Sequence, residues 1–307
     1  DTKVKPENCN TGHKNHDEMA GVGDAIYKTV CPKCGAIRQD SQIGLEQTPE
    51  DYVKEMVKVF SLVRDCLTDD GTLWLNIGDS YYNYRSDGNY PKQTVSKTRQ
   101  DLPTSTPVRG NKLEGLKQKD LIGIPWMLAF ALRADGWYLR QDIIWHKPNP
   151  MPESVKDRCT KAHEYIFLLS KSKNYYYDNE AIKEPAKDWG TRDRTNGKYH
   201  NPGSGLAPHS GLTKSYATKN KRSVWSVTVK PYKGAHFATY PEDLVEPCIL
   251  AGSEKGDIVL DPFMGSGTTA MVAKKNSRSY LGCELREEYA SLQTARISTI
   301  PNKLPLY

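Results

Sequence analysis

The chain has 307 residues, with 43 Lys and Arg against 37 Asp and Glu, and its formal net charge is +6. Hydrophobic residues make up 37% of it, and no apolar run approaches the roughly 20 residues of a membrane-spanning helix, which excludes an integral membrane protein. This length allows one large or two modest domains.

Seven cysteines are an odd number, and four of them (Cys66, Cys159, Cys248 and Cys283) are scattered along the chain. A disulfide scaffold would have more cysteines in a shorter sequence. The N-terminus carries no apolar signal region. Together these features predict a protein that works inside the cell.

The positive charge is concentrated in two segments. Residues 181–235 carry a net charge of +8 and residues 85–119 one of +5, so the remainder of the chain sums to −7. Basic segments on an acidic framework predict a polyanionic partner such as nucleic acid. Solvated loops with the same composition are the alternative.

The first 41 residues contain a pattern that is typical of a metal site. Residues 31–35 read CPKCG, a turn in which two cysteines are separated by two residues, and Cys9 lies upstream of it with two histidines. A redox pair would open a helix in a thioredoxin-like unit, which the polar residues after this turn do not indicate. We therefore predict a closed, structural zinc site with the ligands Cys9, Cys31, Cys34 and either His13 or His16.

Between residues 48 and 170 the pattern alternates between helix and strand. Thr48 has the position of an N-cap before Pro49, and apolar residues from Val53 to Leu67 follow helical spacing. Residues 121–132 predict a second, buried helix. Short apolar runs predict strands at 72–78, 138–145 and 164–169. This alternation predicts an α/β sheet with helices on both faces.

The most informative string is GDIVLDPFMGSGTT at residues 256–269. An apolar strand ends in Asp261, a glycine-rich turn follows, and a helix begins at Thr268. A second strand ends in Glu284, 23 residues after Asp261. Glycines let a ligand approach the backbone, a helix N-terminus favours an anionic group, and an acid at this distance binds ribose hydroxyls in Rossmann-like sites. We predict a nucleoside cofactor, although the third glycine of the dinucleotide fingerprint is missing and no P-loop motif is present.

This string resembles motif I of the S-adenosylmethionine-dependent DNA amino-methyltransferases of the permuted, β-type order, in which the catalytic half precedes the cofactor half. Residues 71–81, 142–150 and 234–241 are similar to other motifs of that family, and the resemblance extends from about Gln42 to Arg296. It implies a Rossmann-like methyltransferase sheet, and methyl transfer to the exocyclic amine of a flipped base in a specific DNA sequence. Relatives with these strings tend to carry Ser-Pro-Pro-Tyr, which favours N4 of cytosine over N6 of adenine. An RNA methyltransferase and a catalytically inactive DNA-binding relative are the alternatives.

The resemblance also implies roles for individual residues. Asp261 would lie near the ammonium group of the cofactor, and Glu284 would hold the ribose. The residues around the methionine part would be Phe263, Gly265, Ser266, Gly267, Thr268 and Thr269, and those at the carboxylate end Phe237, Ala238 and Thr239. Pro262 is a further candidate for cofactor binding. The candidates for the base pocket or for DNA contact are Asp79, Trp145, His146 and Lys147.

The catalytic signature of the family is missing. It consists of Asp, Asn or Ser followed by Pro-Pro and an aromatic residue, and these 307 residues contain no Pro-Pro dipeptide. The family's motif order would place it before Asp1, and the start without Met favours a truncated N-terminus. The catalytic residues are therefore unassigned. A degenerate protein that binds without methylating is the alternative.

One string is similar to the catalytic motif of a different enzyme class. Pro247-Cys248 matches the nucleophilic Pro-Cys of cytosine-C5 methyltransferases. It lies inside a predicted helix ahead of the cofactor motif. We therefore expect Cys248 to be a buried, structural cysteine.

These features divide the chain into four parts. They are a zinc-knuckle-like insert at 1–41, a catalytic half at 42–180 with a basic loop at 82–119, a target-recognition region at 181–233, and an S-adenosylmethionine-binding half at 234–307. The expected main partner is double-stranded DNA, and a homodimer and a cognate restriction enzyme are further expectations. The expected location is the cytoplasm of a bacterial or phage-infected cell.

Overall fold

A computed structural model describes residues 42–83, 112–186, 217–229 and 240–301. These residues form two compact units. One contains 42–59, 81–83 and 112–122, and the other contains 60–80 and the described residues from 123 onward. Within the described ranges, none of the helices has the length and apolar character that crossing a membrane requires.

The first helix, α1 (Pro49–Cys66), begins where the sequence predicts. The hydroxyl of Thr48 accepts the backbone N–H of Asp51 at 3.1 Å, which satisfies one of the free donors at the helix start. The side chains of Val53, Met56, Phe60 and Val63 are buried, as their helical spacing predicts. In the first unit, Tyr82 pairs with the backbone of Lys119 and Asp120 at 2.9 and 2.8 Å.

The second unit contains a four-stranded sheet in the order β1-β3-β2-β6. Its strands are β1 (Thr72–Ile77), β2 (Tyr138–His146), β3 (His163–Ser170) and β6 (Val224–Ser226). Strand β3 runs antiparallel to β1 and β2, and β6 runs parallel to β2. The C-terminal ends of β1, β2 and β6 therefore lie at one edge of the sheet. Two short strands, β4 (Glu184–Pro185) and β5 (Thr218–Lys219), form a separate antiparallel pair.

Helix α2 (Ile124–Ala134) begins three residues later than predicted. Gly123 adopts a φ of 86°, a left-handed conformation that ends the preceding chain segment, and Pro125 occupies the first turn. The Trp126 ring packs edge-on against Tyr165 and Phe167 of β3, at centroid distances of 5.4 and 5.1 Å. Helix α2 therefore covers the face of the sheet that these two side chains share.

Helix α3 (Glu242–Gly252) covers the opposite face. Its Leu244 and Cys248 join a buried cluster with Ile143, Trp145, Ile166 and Trp225. On its other side, Ile249 packs with Val272 and Ala273. Helices thus lie on both faces of this sheet, as the sequence predicts, and α3 connects the two parts of the core.

The C-terminal part is a strand–helix–strand unit. Strands β7 (Ile258–Asp261) and β8 (Ser279–Gly282) are parallel, and α4 (Thr268–Lys275) connects them. Helix α5 (Glu288–Ser298) follows. Among the described residues this pair forms its own sheet, and its strands are not hydrogen-bonded to the four-stranded one. The fold is a mixed α/β arrangement with one antiparallel strand, β3, among parallel neighbours.

The predicted zinc ligands Cys9, His13, His16, Cys31 and Cys34 lie outside the described residues. Within the part of the chain that the structure describes, no group of three or more His, Cys, Asp or Glu is placed to hold a metal ion. The zinc site stays a prediction. Phe237, Ala238 and Thr239, predicted at the carboxylate end of the cofactor, also lie outside the described residues.

Candidate cofactor and DNA site

The glycine-rich turn lies between β7 and α4, at the C-terminal ends of β7 and β8. The N–H of Met264 donates to the carbonyl of Cys283 at 2.9 Å, and the N–H of Cys283 donates to the carbonyl of Asp261 at 3.0 Å. Gly267 has a φ of 79°, which lets the chain enter α4 directly. The turn is therefore fixed to the ends of both strands, as the predicted strand–turn–helix string requires.

Among the described residues, Asp261 contacts three protein groups. Its Oδ1 accepts the N–H of Phe263 at 3.0 Å, while its Oδ2 accepts the hydroxyl of Thr269 at 2.5 Å and lies 3.2 Å from the hydroxyl of Tyr240. Burial and the neighbouring Asp261 carboxylate raise the pKa of the Tyr240 phenol. The phenol therefore remains a hydrogen-bond donor throughout the physiological pH range.

Glu284 follows β8 and is oriented by the same turn. Its Oε2 accepts the N–H of Gly265 at 2.8 Å, and its Oε1 accepts the N–H of Arg286 at 2.8 Å. A carboxylate offers about four acceptor positions, so the described contacts leave each oxygen one position for a ligand hydroxyl. The side chain is only partly buried. The position and acceptor capacity of Glu284 fit a ribose with two hydroxyls.

Three apolar side chains in the turn and in and just after β8 are exposed. Phe263, Leu281 and Leu285 are 50%, 60% and 69% exposed. The Phe263 ring lies edge-on to Phe60, with centroids 6.4 Å apart. Binding sites for small molecules combine apolar walls with a few polar groups that set orientation. This part of the chain therefore fits a nucleoside that carries an aliphatic arm.

Helix α5 braces the turn through two residues that the sequence analysis did not single out. The Arg296 guanidinium contacts the carbonyl and hydroxyl of Ser266 at 3.1 and 2.6 Å, and the hydroxyl of Thr268 at 3.1 Å. The Gln293 side chain donates to the carbonyl of Gly265 at 2.8 Å. Their spacing of three residues places both on one helix face, which is the sequence signal that could have found them.

The same contacts limit how the turn can meet a ligand. Ser266, Thr268 and Thr269 are 3%, 4% and 7% exposed, and their hydroxyls bind protein groups. Contact with a cofactor by these residues would therefore come from backbone groups. Their side chains hold the turn in shape.

Asp79 lies just beyond the end of β1 and caps a helix. Its Oδ1 accepts the N–H groups of Ser80, Gly123 and Ile124 at 2.9, 3.0 and 3.2 Å. The last two belong to the start of α2, whose first amides have no partner within the helix. Asp79 was predicted as a base-pocket or DNA residue, and the described contacts place its Oδ1 on the protein backbone.

Trp145 and Lys147 lie at the C-terminal end of β2 and are bound to the protein. Trp145 is 4% exposed, and its indole N–H donates to the carbonyl of Val227 at 2.8 Å. Lys147 forms an ion pair with Glu164, and its Nζ lies 4.3 Å from the centre of the Trp145 ring. In this arrangement Trp145 is a core residue that holds the end of β2 against the segment after β6.

His146 is the exposed candidate at this edge. Its Nδ1 lies 3.1 Å from the hydroxyl of Ser226, the last residue of the neighbouring strand β6. This contact occupies Nδ1, so with respect to the described residues Nε2 is the nitrogen available to a ligand. His146 is paired with His163 of the neighbouring strand β3, and the His163 ring lies edge-on to Tyr165 at a centroid distance of 5.5 Å.

Cationic side chains gather around Glu184 in the predicted recognition region. Lys219, Lys221 and Arg222 lie 3.9, 3.9 and 3.3 Å from its carboxylate. One carboxylate thus faces three cations, which leaves a positive excess. A cavity of about 310 Å³ adjoins this cluster and is lined by Lys221 and by Arg140 of β2.

Cys248 is a core residue. It is 7% exposed, and its thiol donates to the carbonyl of Leu244 at 3.5 Å within α3. Burial raises the pKa of this thiol, which disfavours the thiolate that a nucleophile needs. The prediction of a structural cysteine is confirmed.

The chain is similar to known proteins over most of its length. The N6_N4_Mtase family model, described as DNA methylase, matches residues 14–295. The type II methyltransferase M.SmaI of Serratia marcescens is 49% identical over 260 residues, which cover 83% of this chain and 77% of that protein. M.Cfr9I of Citrobacter freundii, also a type II methyltransferase, is 46% identical over 258 residues, with coverages of 84% and 75%.

Two solved structures have a similar fold. The PvuII DNA methyltransferase, which is cytosine-N4-specific, gives a TM-score of 0.55 at 17% identity and covers 88% of this chain and 77% of its own. A protein of Thermus thermophilus that was determined with S-adenosyl-L-methionine gives 0.51 at 22% identity, with coverages of 86% and 84%. At these identities the likeness concerns the fold.

Proposed function

This chain belongs to the N6_N4_Mtase family of DNA methylases and is a DNA amino-methyltransferase that uses S-adenosylmethionine, and from this premise we propose that it methylates N4 of a flipped cytosine within a specific DNA sequence. The observation that carries the proposal is the strand–turn–helix–strand unit in which Asp261 and Glu284 follow adjacent parallel strands. The unit combines hydrogen-bond acceptors with a glycine-rich backbone and exposed apolar side chains. In this proposal the catalytic half of the enzyme precedes the cofactor half in the chain.

The residues around the turn would hold the cofactor, which supplies an electrophilic methyl group on its sulfonium when bound. Glu284 would accept the ribose hydroxyls with the acceptor positions that Gly265 and Arg286 leave open. Phe263 would shield the methionine arm from water. Asp261, held by its contacts with Phe263, Thr269 and Tyr240, would place negative charge at the end of β7 near the ammonium group. Phe237, Ala238 and Thr239 would line the carboxylate end.

The DNA would approach the edge where β1, β2 and β6 end. His146 offers an exposed ring whose Nδ1 is occupied by Ser226, so its Nε2 would meet the DNA. The other candidates would not contact the DNA directly. Asp79 would hold the start of α2, and Trp145 and Lys147 would hold the end of β2 in place. Residues 181–233 would form the recognition region, which agrees with their excess of cations. The partners in this proposal are double-stranded DNA, a homodimer contact and a cognate restriction enzyme.

The choice of cytosine N4 is supported by the strings that the chain shares with relatives carrying Ser-Pro-Pro-Tyr. The test is methyl transfer from labelled S-adenosylmethionine to unmethylated plasmid DNA, with an RNA control, followed by digestion and mass spectrometry of the nucleosides. We expect N4-methylcytosine. N6-methyladenine would contradict the base assignment, and label in RNA alone would contradict DNA as the substrate. If the chain binds cofactor and DNA but transfers label to neither DNA nor RNA, it is a catalytically inactive relative.

A further inference from the structure

Tyr240 connects the two parts of the core in the second unit. Its ring packs against the buried cluster that contains Trp145, Trp225 and Leu244. Its hydroxyl reaches the side chains of Asp261 and Thr269, at the end of β7 and the start of α4. One side chain therefore touches both the four-stranded sheet and the glycine-rich turn.

The number of available protons limits the directions of the hydrogen bonds among Tyr240, Thr269 and Asp261. Two hydroxyls supply two protons to three oxygen–oxygen contacts, and the carboxylate of Asp261 can only accept. The Thr269 contact to Asp261 is 2.5 Å, the Tyr240 contact to Asp261 is longer at 3.2 Å, and Tyr240 and Thr269 are in close contact. The arrangement that uses the two shortest contacts has Tyr240 donating to Thr269 and Thr269 donating to Asp261. Tyr240 then acts on Asp261 chiefly through Thr269.

The position of Tyr240 in the sequence makes this contact relevant to the cofactor. It directly follows Thr239, the last residue of the string predicted to bind the carboxylate end of the cofactor, and it precedes α3. Asp261 and Thr269 begin and end the other cofactor string. Tyr240 thus adjoins one predicted cofactor string in sequence, and its hydroxyl contacts residues at both ends of the other.

We infer that Tyr240 is a positioning residue for binding of S-adenosylmethionine, because its hydroxyl orients Asp261 through Thr269. This inference rests on the proposed function, because it assumes that the cofactor binds at the turn. A buried hydroxyl that made only a structural contribution would change stability and leave cofactor affinity unaltered. Affinity is therefore the property that separates the two roles.

The test is calorimetric titration of the 307-residue chain with S-adenosylmethionine, alongside thermal unfolding. Tyr240→Phe keeps the ring in the core and removes the hydroxyl. We expect its Kd, and its KM for the cofactor, to rise about fivefold, as for the loss of one hydrogen bond, with KM for DNA unchanged. Tyr138→Phe is the matched control, since Tyr138 is 45% exposed at the start of β2. It should bind as the wild type does.

Two further variants test the order of the cluster. Thr269→Val removes the contacts of the Thr269 hydroxyl with Tyr240 and Asp261, and it should weaken cofactor binding more than Tyr240→Phe does. Thr269→Ser keeps the hydroxyl and should bind the cofactor as the wild type does. Because Tyr240 acts through Thr269, adding Tyr240→Phe to Thr269→Val should cause little further loss. If the losses of cofactor affinity in the double variant were additive, Tyr240 would not act through Thr269.

The outcomes separate this inference from the function it rests on. If the wild type binds the cofactor and Tyr240→Phe binds equally well, the inference is wrong and the proposed function stands. If the wild type binds no cofactor, the proposed site is wrong and the inference falls with it.

Discussion

The carboxylate of Glu284 accepts a hydrogen bond from the backbone N–H of Gly265 at 2.8 Å. The acid expected to bind the ribose is thus oriented by the turn expected to surround the methionine part. Ligand binding and turn geometry are therefore coupled at one side chain. A change at Glu284 would affect both.

We predict that Glu284→Ala weakens binding of S-adenosylmethionine by about 1–3 kcal/mol, because ribose hydroxyls and the Gly265 amide would lose their acceptor. Calorimetric titration measures the change. Glu288→Ala, an exposed acid in the first turn of α5, is the control with the same loss of charge. Equal affinities of Glu284→Ala and the wild type would mean that the ribose is held elsewhere.

Asp79→Ala should destabilise the fold by about 1–2 kcal/mol, since the amides of Gly123 and Ile124 at the start of α2 would lose their side-chain acceptor. Chemical denaturation, read as a shift in midpoint at constant slope, measures it. Asp79→Asn keeps an acceptor and should recover most of the loss. If Asp79→Ala instead leaves stability unchanged and weakens DNA binding, the side chain contacts DNA and its capping role is minor.

Arg222→Gln should reduce the salt dependence of DNA binding. Each phosphate contact releases about 0.9 counterions, so the slope of log K against log salt should fall by roughly 1. The Arg222 side chain is 73% exposed, which leaves it open to a phosphate beside Glu184. Arg133→Gln, at the end of α2, removes the same charge outside the recognition region. Identical slopes for the two variants would argue that residues 217–222 do not meet the backbone of DNA.

The predicted zinc site gives a direct analytical test. We expect one zinc ion per chain by elemental analysis of the purified protein, and its loss in the double variant Cys31→Ser with Cys34→Ser, because thiolates supply much of the affinity of such sites. Substituting His13 and His16 one at a time identifies the fourth ligand. A metal-free preparation that unfolds at the temperature of the zinc-loaded protein would contradict a structural zinc.

Local signals predicted the elements well, whereas contacts between distant residues were missed. Thr48 and Gly267 act on their own neighbours in the chain, so the sequence shows what they do. The link between Tyr240 and Asp261 depends on which strands and helices meet in space. No local pattern contains that information.

Trp145 shows a different limit. Its position in a string similar to a family motif suggested contact with the base or with DNA, while its place in an apolar strand was equally compatible with the core. The structure puts the indole in the core, with its N–H bound to Val227. Neighbouring residues on a strand point to opposite faces, so His146 is exposed where Trp145 is buried.

The contacts of Arg296 and Gln293 with the glycine-rich turn connect the proposed cofactor site to the last helix of the described chain. During synthesis, the strands and the turn leave the ribosome before these two braces exist. We therefore expect the turn to reach its final shape only after α5 has emerged and packed against it. The affinity for the cofactor should then show whether α5 is intact in a given preparation. Proteolytic removal of the chain from Gln293 onward should weaken cofactor binding, although neither Gln293 nor Arg296 is proposed to contact the cofactor.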